Sequence, residues 1–150
     1  MTPGEIRARI LADHVAIRGM LLTLEQVAQR VHEGDHSLVR ALRVEAETLL
    51  RQLEDHMFWE DLHLAPALRD ADAWGEERAA QLAADHREQR QVLAHCLSAV
   101  TDVSRPAAVV ARTLIDLAGM LRQDIEDEDR LVLDERVLRD DVIAIDVETG

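Results

Sequence analysis

The chain has 150 residues, 47% of them hydrophobic, a formal net charge of −13 and a single cysteine, Cys96. That length supports one domain with a sizeable core of its own, a lone cysteine leaves no internal disulfide and no thiolate cluster, and such acidity excludes nucleic acid and anionic membrane as partners, because phosphate surfaces are bound through clustered Lys and Arg. No apolar run approaches the ~20 residues of a bilayer span and Met1–Glu5 lacks a leader pattern, so the expectation is an unexported, cytoplasmic protein whose metals, if any, are held by His and carboxylate.

Six Gly and three Pro amid abundant Ala, Leu, Arg and Glu favour an all-helical chain. Thr2-Pro3-Gly4-Glu5 reads as a capping box with Pro at the first helical position, and the first helix is expected from about Pro3 to about Glu33, with Gly34 as its stop. Asp35-His36-Ser37 offers the next cap, and the second helix is expected to reach about Leu64 and to break at Pro66. Arg69–Gly75 reads as a turn, Glu76 to Val103 as the third helix, and Ser104-Arg105-Pro106 as the cap of a fourth that reaches about Glu135. Four long helices joined by short turns predict an antiparallel up-down-up-down four-helix bundle over residues 1–138, with 139–150 as an extended C-terminal tail in which Val142, Ile143, Ile145 and Val147 alternate with acids.

Each helix carries one apolar stripe at spacings of three and four, the face it must bury. The stripes read Ile6, Ile10, His14, Ile17, Leu21, Leu24; then Leu42, Ala46, Leu49, Leu53, His56, Glu60; then Leu82, His86, Gln89, Leu93, Cys96, Val100; and finally Val110, Leu114, Leu117, Leu121, Asp124, Glu128, Leu131. Six ionisable groups thus interrupt core faces: His14, His56, Glu60, His86, Asp124 and Glu128. At ~1.5 Å per residue His14 and His86 lie roughly 15 Å from the starts of their helices. The pairs on the second and fourth helices lie near the ends of theirs. In an antiparallel bundle all six fall in one layer, and three carboxylates there demand cations, since an unpaired buried carboxylate costs several kcal/mol. Imidazole and carboxylate donors suit iron or manganese, with zinc an option, and six ligands suit two ions better than one. The other histidines read otherwise: His32 and His36 as surface residues, His95 as partly exposed. His63 forms a Glu-x-x-His with Glu60 that lacks its counterpart. Met20, Met57, Phe58, Trp59 and Met120 read as core or rim packing.

Asp13-His14, the run His56-Met57-Phe58-Trp59-Glu60-Asp61, Asp85-His86-Arg87-Glu88 and Ile125-Glu126-Asp127-Glu128-Asp129-Arg130 together resemble the haemerythrin-like, HHE cation-binding family over about residues 5 to 135. The resemblance implies two non-haem irons with an oxo or hydroxo bridge, Glu60 and Glu128 bridging, His14 and His56 as terminal ligands on one side and His86 on the other. Asp124 stands where the pattern has the histidine of a second HxxxE pair, which implies either a site richer in carboxylate or a second iron weakly held or absent. Arg90 stands four residues after His86, so the oxygen-carrier ligand set is incomplete.

The expected function is therefore iron binding coupled to reaction with, or sensing of, dioxygen or a related oxidant. An oxidase- or peroxidase-like enzyme and an iron-dependent regulatory module, open to homodimer formation, are the alternatives; no catalytic residue is assigned.

Overall fold

In the computed structural model, which describes residues 1–140, four helices account for most of the chain: α1 Pro3–His32, α2 Val39–Ala71, α3 Gly75–Thr101 and α4 Ala107–Leu131. A 3-10 turn, His36–Leu38, leads into α2. The bundle is closed by packing of α1 on both α2 and α4 and of α2 on α3, while α3 and α4 meet more sparsely. None of these helices is long and apolar enough to cross a membrane.

Local chemistry sets the boundaries. The Thr2 hydroxyl accepts the Glu5 N–H at 3.1 Å while the Glu5 carboxylate accepts the Thr2 N–H at 2.8 Å, which satisfies two of the free donors at the start of α1. Gly34 takes φ +117° just past the end of α1, a backbone conformation open to glycine, and the Asp35 N–H folds back on the Arg30 carbonyl. Asp35-His36-Ser37 supplies no side-chain cap to α2; the Ser37 hydroxyl donates to Asp35 instead. At the α2–α3 turn, Asp72 accepts the Trp74 N–H and two bonds from Arg78. Gly75 follows because a Cβ there would stand 2.0 Å from the Leu68 carbonyl oxygen.

Two expected boundaries are corrected. α2 does not break at Pro66 but runs through it to Ala71. Proline removes only its own N–H from the ladder and disturbs one upstream carbonyl, whereas Leu64, Ala65 and Leu68 on either side are buried in the core, and that burial holds the helix together. α4 stops at Leu131, short of Glu135. The Leu133 N–H bonds the Glu128 carbonyl, five residues back, which turns the chain so that Leu133 and Leu138 enter the core beside Ile6 and Ile10. Leu131, assigned to the buried stripe, is 62% exposed as a result, and Ile125 is buried in its stead. Phe58 is likewise exposed. Arg7 donates to the Leu133 carbonyl, and the Asp140 carboxylate accepts the Gly4 N–H at 2.8 Å, so the segment after α4 is tied to the start of α1. The apolar residues Val142 to Val147 lie outside the described residues.

The remaining apolar members of the stripes bury as the periodicity predicts, and they build two apolar clusters rather than one. The larger runs from Val31 and Leu42 down to Ile17, Leu53, Met57, Leu93 and Ile125. The smaller gathers Ile6, Ile10, Leu64, Leu68, Leu82 and Leu133. Between Ile10 and Ile17, Leu53 and Leu64, and Leu82 and Leu93, the core is interrupted by a polar layer.

Candidate metal centre

That layer holds four fully or nearly buried polar side chains, His14, His56, Glu60 and His86, with Glu128 reaching in from α4. Helical spacing brings them together: His56 and Glu60 are one turn apart on α2, and His14 and His86 come from equal depths of α1 and α3. Ligand atoms form two triads, His14–His56–Glu128 and Glu60–His86–Glu128, each within 4.8 Å, and Glu128 belongs to both. His14 Nε2 lies 3.2 Å from His56 Nε2 and 3.3 Å from Glu128 Oε1. Glu60 Oε1 lies 3.1 Å from His56 Nε2 and 3.5 Å from His86 Nε2.

The imidazoles are aimed by carboxylates behind them. His14 Nδ1 meets Asp129 of α4 at 2.6 Å, and Arg18, one turn along α1, clamps the other oxygen of Asp129 at 2.6 Å. His86 Nδ1 meets Asp61 of α2 at 2.6 Å, and Arg90, one turn along α3, clamps Asp61 at 2.8 Å. An Nδ1–H donated outward leaves Nε2 as a bare lone pair pointing inward, which is the tautomer a metal ligand needs. Asp13 stands 3.4 Å from His56 Nδ1, which makes no hydrogen bond. The Nε2 atoms of His14 and His56 stand 3.2 Å apart, close enough to share one proton or one cation.

Electrostatics point the same way. Burial, and then the adjacent Glu60 carboxylate, push Glu128 up to about 8. Burial also acts against ionisation of Glu60, but its bonds to Glu128, His56 and His86 outweigh it and hold the carboxyl far below the usual range. Without cations the two glutamates therefore share a proton. Burial lowers His14 and His86, yet the carboxylates at both ends of each ring raise them above the ordinary imidazole value: Glu128 and Asp129 for His14, Glu60 and Asp61 for His86. Glu60 Oε2, Glu128 Oε1 and His86 Nε2 are buried without a hydrogen-bond partner. Orphaned polar atoms are rare in native interiors, and three converging on one space match what a pair of cations would satisfy. The donors are imidazole and carboxylate with no sulfur, a set suited to iron or manganese.

Asp124, the sixth expected residue, lies on the same helix one turn before Glu128 but belongs to neither triad. It is half-buried and accepts the Gln89 side-chain N–H at 3.1 Å. Its carboxyl is raised by burial, against the Gln89 bond, with Asp127, Asp85 and Glu88 adding like-charge repulsion. Gln89, assigned to the buried stripe of α3, is only partly buried for the same reason. His63 turns away and stacks on Trp59, ring centroids 4.5 Å apart.

Sequence reasoning missed Asp61, Asp129, Arg18 and Arg90. The signal was present as a repetition: Asp13-His14 with Arg18 and Asp85-His86 with Arg90, against Glu60-Asp61 and Glu128-Asp129. The halves α1–α2 and α3–α4 thus carry the same pattern, and Asp124 is the counterpart of His56. Where α1 has the buried Ile17, α3 has Gln89, which occupies Asp124.

A cleft of about 520 Å³ opens between α3 and α4 where their packing is sparse, and of the five clustered residues His86 and Glu128 line it. The profile of the family described as Hemerythrin HHE cation binding domain matches residues 5–135. No curated protein and no solved structure matches the chain.

Proposed function

Because the chain belongs to the haemerythrin HHE cation-binding domain family, we propose that its buried layer holds two non-haem iron ions and that the protein reacts with, or senses, dioxygen or a related small oxidant. The observation that carries this reading is the pair of triads sharing Glu128 around three orphaned ligand atoms. His14 and His56 would hold one ion, His86 the other, with Glu60 and Glu128 between them. Asp124 would reach the His86-side ion as a sixth ligand on releasing Gln89. Two such ions, when bound, supply electrons at adjacent centres, the chemistry needed to reduce an oxidant by more than one electron.

The chain's own part is positional. Arg18–Asp129 and Arg90–Asp61 fix the rings of His14 and His86, and outer-shell carboxylates of this kind both orient a ligand and raise its basicity. The two apolar clusters cap the layer above and below and leave the α3–α4 cleft as its opening. Anionic ligands favour the ferric state, so the aspartate in place of a histidine tilts the site toward oxidation rather than reversible oxygen carriage. The α3–α4 cleft, of a size that takes a small molecule, supports a second reading as an oxidase- or peroxidase-like catalyst.

The test is anaerobic loading with ferrous iron followed by air. The proposal expects oxygen uptake and a near-ultraviolet ligand-to-metal band that is lost when His86 or Glu128 is replaced. Iron that oxidises at the free-solution rate, with the same spectrum in those variants, overturns it. Steady consumption of hydrogen peroxide by the loaded protein selects the catalytic reading.

A further inference from the structure

The five clustered ligand residues are not equally reachable. His14, Glu60 and His86 are 1% exposed and His56 is 8% exposed, and the cleft between α3 and α4 touches only His86 and Glu128 among them. His86 Nε2 is buried, lacks a hydrogen-bond partner and belongs to a side chain on the cleft wall. On its way outward the same cleft is lined by Asp124, Asp85, Glu88 and Asp127. The one cationic side chain in the lining, Arg78, has its guanidinium engaged by both oxygens of Asp72. Asp127 is paired with Arg130 at 3.1 Å and Asp85 accepts the neutral Gln81 amide at 2.8 Å, so the lining keeps a net negative charge, and a low-dielectric groove lined by one sign of charge focuses the field onto its floor.

We propose that the α3–α4 cleft is the route by which divalent cations reach the buried layer, with Asp85, Glu88 and Asp127 gathering them at the mouth and Asp124 passing them to His86 and Glu128. This rests on the metal-binding reading above. It also gives Asp124 and Gln89 a purpose that the α1–α2 half lacks: a carboxylate held by a neutral amide can exchange that bond for a passing cation, whereas His56, the counterpart of Asp124, sits on the closed side. The ion held through His86 is the first to load and the first to be lost.

The experiment follows uptake of Co2+ by the metal-free full-length chain in a stopped-flow instrument, through the visible absorption of the bound ion. It compares wild type with the rim variant Asp85→Asn/Glu88→Gln/Asp127→Asn and with a control of equal charge change elsewhere, Glu33→Gln/Glu47→Gln/Asp116→Asn. Steering by a charged groove is worth about ten- to a thousandfold in association rate. The expected result is at least a tenfold slower uptake in the rim variant, a weaker dependence of its rate on ionic strength, unchanged stoichiometry, and a control that behaves as wild type. Far-ultraviolet circular dichroism checks that the variants are folded, and salt titration of the wild type alone gives a reading that needs no variant. Equal rates in wild type and rim variant, or an equal slowing in the control, overturn the route while leaving the metal site standing. Failure of the wild type to take up Co2+ overturns the metal-binding reading, and the route with it.

Discussion

Replacing Glu128 with glutamine, which keeps the shape and removes the charge, separates a residue kept for metal from one kept for structure. In the metal-free chain the Glu128 carboxyl is displaced from 4.5 to about 8 by burial and by Glu60. The folded value lies above the unfolded one, so the folded state holds an extra proton between them, and the stability this confers is lost as pH rises through that window. At about 1.4 kcal/mol per pH unit, the displacement sets an upper bound of roughly 5 kcal/mol. Glu60 is pulled the opposite way by its bonds to Glu128, His56 and His86, so its own contribution changes below 4.5, outside this window. Urea denaturation followed by circular dichroism, with a chelator present, should therefore place the variant within about 1 kcal/mol of wild type at pH 5 and make it the more stable of the two at pH 9. With metal present the order should reverse at both pH values, because Glu128 serves both triads and ligand stabilisation follows affinity. A variant that is less stable than wild type at both pH values without metal would refute the reasoning.

Three further outcomes are expected. Asp129→Asn, which removes the charge behind His14, should weaken metal binding by roughly 10- to 100-fold in a competition titration against a coloured chelator, without loss of helix content. Pro66→Ala restores a missing N–H in the middle of α2 and should raise the denaturation midpoint by the equivalent of about 1–3 kcal/mol; no change would mean that the ladder is already relaxed there. Asp124→His should slow conversion of the ferrous to the ferric form under cycles of air and vacuum, read from the absorption spectrum, and an unchanged rate would count against the carboxylate as the cause of ferric preference.

Much of this architecture was legible because burial leaves a periodic trace. Apolar spacings of three and four mark four helix faces, and His14, His56, Glu60, His86 and Glu128 stand out as polar interruptions of those faces, which the fold brings into one cluster. What could not be read has a common physical origin. Asp61 and Asp129 sit beside buried glutamates at positions that, on a helix, look like a solvated flank, and only the packing of a neighbouring helix turns them toward His86 and His14. Asp124 and Gln89 fall on their stripes by spacing, yet α3 and α4 stand far enough apart for the pair to bond each other at the edge of a cleft. Pro66 signalled a break by local rules, and tertiary burial of Leu64 and Leu68 overrode it. The inward turn of Leu133 depends on contacts with Ile6 and Ile10 more than a hundred residues earlier, which no local window contains.

The central claim is that cations complete the buried layer. Elemental analysis of the chain purified from cells grown with iron, compared with Glu60→Leu/Glu128→Leu, tests it most directly. Two iron ions per chain in the wild type and none in the variant, which remains helical, are the result predicted from the two triads. A wild type that carries no metal, or a variant that carries as much, would contradict it.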